Sequence, residues 1–446
     1  MNRNTHSTRR QFTGGLAKAM IAAGFAPQIL RAQTVGLGGG TAPSNRVAVA
    51  HMGVGSQGTG LLNNFLGQPQ HQPVVICDPY QARRAAAGNN VKGKRGQAPD
   101  LANDFREVVL RKDIDACVIA TPDHWHVPVA LAAVKAGKDV YVEKPLGLGL
   151  NENRKLLDAC LANKRIFQYG TMQRSQGHMR KGIELVLNGA IGKIKHIDVW
   201  APAGQGGGSL VEIPVPAGLD YDLYIGPAPM KPCTKDRITP NGSYFCRDYA
   251  LGFIAGWGAH PLDIAIWGID SDQTGSWKIK GTGVFPAPDQ LFNACTDWDT
   301  DITFSDGLTM KFQSNTKARD RVTAYRKDFP GDGTTFHGAD GWISLSRSGF
   351  AASNLELMRG SGNKGPNTVR YGPNYYGSFL NSVKSREPSL TPIEDAVRSD
   401  AFSHLALLAI EAGQEITWDP KAYKITSPGD MSAKMDRAYR APYAPV

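Results

Sequence analysis

The chain is poor in several features, and each one rules something out. Beyond its first thirty or so residues it has no apolar run near the roughly 20 residues that a membrane span requires, so stable membrane insertion is not expected. It has no dense Lys/Arg run of the kind that grips nucleic acid, so no nucleic-acid partner is expected. The formal charge of +10 overstates its basicity. Arg3, Arg9, Arg10, Lys18 and Arg31 lie in an acid-free leading segment, and without them about +5 remains. There is no C-x-x-C pair among the six cysteines, so no metal site is expected and no dithiol redox motif. Cys77, Cys117 and Cys160 fall in apolar stretches. Cys233 and Cys246 flank a loop and are either a disulfide or two free thiols. No internal repeat is present, which excludes a solenoid.

What is present begins with Ser7-Thr8-Arg9-Arg10-Gln11-Phe12. A twin arginine followed by a mildly apolar stretch, about Gly14 to Leu30, is the pattern of a signal that exports folded proteins. Residues 1–33 are therefore read as a twin-arginine signal peptide, and the Gly/Pro/Ser-rich 34–45 as a linker. This predicts a periplasmic or otherwise extracytoplasmic protein. The rest of the chain exceeds one typical domain, so two are expected.

From residue 46 strands alternate with helices. Arg46–Met52, Pro73–Asp78, Asp115–Thr121 and Asp139–Glu143 read as strands. Thr59–Leu66, Val127–Lys135 and Asn151–Lys164 read as helices, and Ile166–Gly170 as a further strand. That alternation indicates a parallel sheet covered on both faces. Met179–Leu187 is expected to be helical and Ile194–Trp200 to be a strand. Residues 201–240, with Gly206-Gly207-Gly208 and many prolines, form an arm: either a pocket wall or a wrap around a neighbouring subunit. Strand-like stretches over 277–347 suggest a second, more antiparallel sheet, and Ser399–Ala412 a helix. The fold class is α/β: an N-terminal Rossmann dinucleotide-binding domain (46–170) and a C-terminal α/β domain (171–425) with a large, mostly antiparallel open sheet. A tail, 426–446, follows.

Four motifs carry chemistry. Gly53-Val54-Gly55-Ser56-Gln57-Gly58 lies between a strand and a helix. Gly53 permits the tight turn, Gly55 lets backbone approach a pyrophosphate, and Gly58 lets helix and strand pack. The helix N-terminus then offers N–H donors to phosphate oxygens. Asp78 ends the next strand, about twenty residues on, where a carboxylate bonds a ribose diol and repels a 2′-phosphate. NAD is thus favoured over NADP. Thr121-Pro122-Asp123-His124-Trp125-His126 and Glu143-Lys144-Pro145 both end strands on the carboxyl edge of the sheet, where such folds bind ligands. A lysine there can stabilise a developing alkoxide; a solvated strand-end charge is the plainer alternative. Gly256-Trp257-Gly258-Ala259-His260-Pro261-Leu262-Asp263 places a histidine at the start of an apolar helix, suited to proton transfer near neutral pH or to a structural role. Trp200, Trp257 and Tyr249 are candidates for stacking on a sugar face, with burial in the core the commoner outcome for such aromatics.

Together these motifs resemble the glucose–fructose oxidoreductase / inositol dehydrogenase / rhizopine catabolism (Gfo/Idh/MocA) family over about residues 45–425. The specific element is E-K-P placed after T-P-x-x-x-H; His404 to Trp418-Asp419-Pro420 matches the family's returning helix. The resemblance implies a homodimer or homotetramer and a reaction at a sugar or cyclitol hydroxyl. It implies that Lys144 contacts the reacting hydroxyl, that Glu143 orients Lys144 or the cofactor, and that His260 is the acid/base. Gly53, Gly55, Ser56, Gln57, Gly58, Asp78, Thr121, Pro122, His126, Glu143 and Lys144 would hold NAD. Gln173, Arg174, Tyr249, Trp257 and Asp263 would face the substrate. One position departs from the pattern. Family dehydrogenases often carry Asp four residues before the catalytic histidine, where this chain has Gly256. Either Asp248, Tyr249 or Asp263 is expected to substitute, or the proton path differs.

Export and a nicotinamide cofactor together imply a captive cofactor and a closed redox cycle. One reading is an oxidoreductase with tightly bound NAD, working ping-pong with a second sugar as acceptor on a secondary hydroxyl such as that at C3. The other is a redox-assisted glycoside hydrolase or epimerase, although NAD-using glycosidases of the family replace the E-K-P lysine that this chain keeps. A non-catalytic sensor that retains the fold is a third reading.

Overall fold

The computed structural model describes residues 45–269, 275–359 and 365–443. The twin-arginine segment and linker residues 34–44 lie outside the described residues. Six strands form the first sheet: β1 (Val47–Met52), β2 (His71–Cys77), β3 (Asp100–Ala102), β4 (Ala116–Ile119), β5 (Asp139–Val142) and β6 (Phe167–Tyr169). Their order is β3-β2-β1-β4-β5-β6 and every pairing is parallel. This is the doubly wound order, with its switch point between β1 and β4. β4 and β5 are buried along their whole length, which is why they read as unbroken apolar runs and not as alternations.

Two differences from the sequence expectation have simple causes. The helix expected over Val127–Lys135 starts at Asp123, whose carboxylate sits in the first turn after Pro122. His124, Trp125 and His126 are therefore helical and buried. A further helix, Gln81–Arg95, carries almost no apolar signal because only Ala87, Gly88 and Val91 on it are buried.

The second sheet comprises β7 (Ile194–Ala201), β8 (Trp277–Val284), β9 (Asp297–Phe304), β10 (Thr309–Ser314), β11 (Gly333–Gly338), β12 (Trp342–Ser346), β13 (Gly349–Ala352), β14 (Ile416–Asp419) and β15 (Lys424–Ser427). The order is β13-β12-β11-β7-β10-β9-β8-β14-β15, antiparallel except where β10 meets β7. β8 and β9 bury alternate residues, as a sheet covered on one face must. The covering helices are Ala259–Gly268 and Ile393–Ala412, and Trp277 stacks on Phe402 with ring centres 4.2 Å apart.

The chain returns to the first sheet late. In the helix Tyr375–Ser385, Tyr375, Phe379 and Leu380 pack with Val47, Val49, Phe65 and Tyr141. The arm closes over the carboxyl edge of that sheet. The Gln81 N–H donates to Gly218 O (2.9 Å), Asp220 N–H to Pro79 O (2.9 Å) and Trp125 Nε1 to Leu223 O (3.0 Å). The arm supplies part of the cavity wall through Thr239 and Pro240. All six cysteines are buried free thiols, so Cys233 and Cys246 are not paired.

One buried carboxylate ties these parts together. Asp400, fully buried in the long helix Ile393–Ala412, accepts from the Leu146 N–H (3.3 Å) and the Tyr169 hydroxyl (3.1 Å). Its other oxygen accepts from Asn153 Nδ2 (2.7 Å) and faces His404 Nε2 (2.9 Å). The backbone just past Glu143-Lys144-Pro145 is thereby fastened to the C-terminal half of the chain. Removing a buried anion that satisfies several donors costs about 3–5 kcal/mol. Asp400→Ala is expected to lose stability on that scale, with Asp400→Asn losing less; superimposable denaturant-unfolding curves for Asp400→Ala and the parent would refute this.

Candidate active site

Backbone crowding at the switch point creates the first wall of the site. Gly53 has φ +80° and a Cβ on it would lie 2.6 Å from Ala120 O, so only glycine fits. A Cβ on Gly58 would overlap the Gly53 carbonyl oxygen. At Gly55 a Cβ would meet nothing nearer than the Arg83 guanidinium at 3.9 Å; the space in front of it is cavity. Gly55 caps the helix Ser56–Leu66, whose first turn holds no acidic residue, so its N–H donors face that space uncompensated.

The cavity holds about 650 Å³ of empty space. Gly53, Gly55, Ser56, Gln57, Asp78, Thr121, Pro122, His126, Glu143 and Lys144 all line it, as the sequence predicts. Gly58 stands behind the wall as a packing residue. Asp78 is fixed in place: its carboxylate accepts the Val54 N–H (2.9 Å) and the Tyr80 N–H (2.8 Å). Burial pushes its carboxyl upward, opposed by those N–H groups and by Arg83 and Arg84. An adjoining, more apolar space of about 480 Å³ shares Gly53, Asp78, Arg83, Thr121 and Pro122 and adds Phe105, Trp125, Val129 and Leu223. The arm and the segment after it supply the remaining wall through Thr239, Pro240, Ser243 and Tyr244. These residues fit a dinucleotide: phosphate donors at a helix end, a fixed carboxylate for a ribose, and a buried Thr121 hydroxyl with no partner among the described residues.

Glu143 and Lys144 sit on the cavity floor. Glu143 is buried, which pushes its carboxyl upward, while Lys144 and Gln57 beside it oppose the shift. Lys144 Nζ lies 5.8 Å from the centre of the Tyr244 ring. Asp123 also lines the cavity and its carboxyl is driven well up by burial, with Lys144 as the main opposing charge. His126 has Nδ1 2.7 Å from Pro145 O and Nε2 2.9 Å from Thr121 O. Burial lowers its pKa to about 4, so the ring is neutral and donates to one carbonyl only.

His260 is buried between two partners. Arg347 Nη2 lies 2.7 Å from Nε2 and Gln173 Oε1 lies 3.0 Å from Nδ1. A guanidinium can only donate, so Nε2 must accept and Nδ1 carries the proton. The ring is neutral: burial, then Arg347, then Lys144 hold its pKa well below the usual value.

Several substrate-facing expectations need correction. Arg174 and Asp263 face each other in a buried bidentate pair (2.6 and 3.0 Å), and Asp395 takes the other end of the guanidinium at 2.6 Å. They brace the core, because two buried charges satisfy each other far better than a pocket would. Tyr249 is fully buried, and its hydroxyl accepts from Arg237. None of the three residues expected to substitute for an aspartate at Gly256 touches the histidine; Asp248 pairs with Lys231 at 2.9 Å. Gln173 fills that place. Trp257 stands beside His260, ring centres 5.6 Å apart, and neither is among the residues lining the dinucleotide cavity. Arg83, Asp123, Tyr244 and Arg347 escaped sequence analysis. Asp123 stood inside a quoted motif, whereas a turn arginine such as Arg347 gives no local signal.

The model of an oxidoreductase family with an NAD-binding Rossmann fold matches residues 47–171, and that family's C-terminal alpha/beta domain matches 182–343. The chain belongs to this family, Gfo/Idh/MocA. Among curated relatives, a glycosyl hydrolase family 109 protein of Saccharopolyspora erythraea is 33% identical over 156 residues, 33% of each chain. An alpha-N-acetylgalactosaminidase of Shewanella oneidensis is 29% identical over 157 residues, 34% of each chain. The match spans about a third of the length of these relatives. The scyllo-inositol dehydrogenase of Lactobacillus casei, solved with NAD(H) and scyllo-inositol, shares the fold with a TM-score of 0.56 at 16% identity, covering 83% of this chain and 99% of that one.

The crowding at the glycine turn makes a paired prediction. Gly58→Ala is expected to lower the melting temperature and abolish NAD binding together. Gly55→Ala is expected to melt normally without ligand yet lose the stabilisation that added NAD gives the parent. Equal NAD-induced shifts in Gly55→Ala and the parent would count against a pyrophosphate at this turn.

Proposed function

We propose that the protein is an NAD-dependent oxidoreductase acting on a secondary hydroxyl of a sugar or glycoside, with the cofactor held through turnover. The observations that carry this are Lys144 lining the dinucleotide cavity beside Glu143, and a buried, neutral His260 whose tautomer is fixed by Gln173 and Arg347. The glycine turn and Ser56–Leu66 helix end would hold the pyrophosphate, Asp78 a ribose, and the apolar space beside Trp125 the adenine. When bound, NAD supplies the hydride acceptor. The Lys144 ammonium donates to the reacting oxygen and stabilises the alkoxide as it forms. The hydroxyl proton passes to His260 Nε2, while Gln173 holds the opposite ring nitrogen and keeps the imidazole in register.

Captivity of the cofactor is supported by the arm, which supplies Thr239 and Pro240 to the cavity wall, and by the twin-arginine motif, which suits export of a loaded, folded protein. A second sugar would return the hydride in a ping-pong cycle. The names of the curated relatives favour one alternative. Transient oxidation at C3 would acidify the C2 proton, the aglycone would be eliminated, water would add and the hydride would return. Retention of Lys144 weighs toward the oxidoreductase. Purified protein given glycosides without added cofactor separates the two: reduced nicotinamide and a ketosugar support oxidation, and aglycone release without net oxidation supports the hydrolytic cycle. Absence of any co-purifying nucleotide would sink the captive cofactor.

Lys144→Ala is expected to lower turnover about 100- to 1000-fold while nucleotide remains bound; an unchanged rate would remove Lys144 from the chemistry. A free histidine titrates near 6.5. Because His260 is already neutral well below that value, the pH profile of kcat/KM for oxidation should show no acid limb near 6.5. A limb there that vanishes in a His260 variant would contradict this. Replacing Arg9-Arg10 by two lysines should keep the protein in the cytoplasm, as cell fractionation would read.

A further inference from the structure

Arg347 occupies an unusual place for an arginine. With Ser348 it forms the turn between β12 and β13, next to the Ser346–Gly349 pair, and the turn is held down by a contact between His178 Nε2 and Ser346 O at 3.0 Å. From there its guanidinium reaches His260 Nε2 at 2.7 Å and lies over the Trp257 ring, 4.5 Å from its centre. It is partly buried, and among the described residues no carboxylate forms an ion pair with its guanidinium. Asp332, whose carboxylate accepts from the Arg347 backbone N–H, and Glu143 act on the guanidinium through space. Elsewhere in this protein the buried arginines near the site are paired: Arg174 has Asp263 and Asp395, and Arg237 has Asp248. A guanidinium taken from water without an anion is costly, and a planar fork is the side chain best shaped to take a carboxylate on two points.

The same contact has a chemical effect. The His260 lone pair that must receive the substrate proton is occupied by an Arg347 N–H. A neutral sugar brings nothing that would draw the guanidinium away. A carboxylate would do so, and in doing so would bare Nε2.

We propose that the substrate is an acidic carbohydrate, a uronic acid or its glycoside, whose carboxylate is bound by Arg347 and whose binding frees His260 Nε2 to act as base. This rests on the oxidoreductase assignment and adds the substrate class. Trp257, already under the guanidinium, forms the apolar flank of that carboxylate site. No new bond is made by Arg347; its N–H would change acceptor from the imidazole to the carboxylate, the imidazole would then take the hydroxyl proton, and the carbon bearing that oxygen would be oxidised to a carbonyl as its hydride passes to NAD, which is reduced to NADH.

The test uses the full-length protein carrying NAD and pairs of 4-nitrophenyl glycosides, each a hexoside and its matching hexosiduronate, in gluco, galacto and manno configurations. Calorimetric binding and hydride transfer are both recorded. In at least one pair the acidic member should exceed its neutral twin by about 100-fold or more in kcat/KM, because a site built for a polar group rejects the analogue lacking it. Arg347→Gln should collapse that ratio, and Arg347→Lys, which keeps charge but not the fork, should restore part of it. Should Arg347→Gln fail to fold, Arg347→Lys carries the comparison alone. Arg347-dependent binding of an acidic member without turnover also supports the proposal. Neutral members reacting as well as acidic ones in every active pair, an acid preference that survives both variants, or a nucleotide-loaded protein that binds neither member overturns the proposal while leaving the oxidoreductase assignment standing. Failure of the protein to hold any nucleotide overturns both.

Discussion

The Asp400 carboxylate is the constraint on which the site depends. It sits on a helix that covers the second sheet, yet it satisfies donors from the first sheet, from the helix after Glu143-Lys144-Pro145, and from the backbone of Leu146. Lys144 is two residues from that anchored amide. Its position relative to the cavity floor is therefore set by the C-terminal half of the chain as much as by β5. A buried network of this kind has little freedom to relax, because each lost partner leaves a polar group stranded without water. The placement of Lys144 just past a strand end, ordinarily a mobile and solvated position, is made firm in this way.

The electrostatics around His260 follow from what the site contains and what it omits. Two cations, Lys144 and Arg347, bear on the ring, and the group on Nδ1 is the amide of Gln173, not a carboxylate. An aspartate in that place would stabilise the imidazolium and raise the proton affinity; an amide only holds the tautomer. The histidine is thus held in its neutral form, and in the proposed reaction Lys144 would carry more of the alkoxide's charge. Arg174 shows the opposite arrangement nearby, with two carboxylates around one guanidinium.

What could be read from the sequence was what local chemistry determines. The glycines of Gly53 to Gly58 are dictated by contacts a few residues away, and Asp78 by a fixed offset along one βαβ unit. β4 and β5 announced themselves because burial on both faces leaves nothing but apolar residues. The helix Gln81–Arg95 was invisible since its exposed faces outnumber its buried one. Arg174 and Asp263 were legible as charges near the site but not as partners, for their pairing spans 89 residues and exists only once the helix Ala259–Gly268 is packed. Tyr249 misled for a related reason: an aromatic beside a pocket motif stacks on His124 as readily as on a sugar, and here their ring centres lie 4.9 Å apart. Arg347 belongs to a hairpin turn whose reach depends on the sheet register alone.

The arm separates how tightly a nucleotide is bound from how long it stays. In the proposed captive-cofactor reading, affinity would be set by the glycine turn and Asp78, whereas escape would need the wall formed with Thr239 and Tyr244 to lift, breaking contacts such as Arg83 Nη2 to Ile238 O (3.0 Å) and Gln81 N–H to Gly218 O. Dwell time is then a barrier height governed by loop anchors, and differences of this sort fall mainly on dissociation. On that reading, loosening a few of those anchors would turn a resident prosthetic group into an exchangeable co-substrate while leaving Lys144 and His260 untouched.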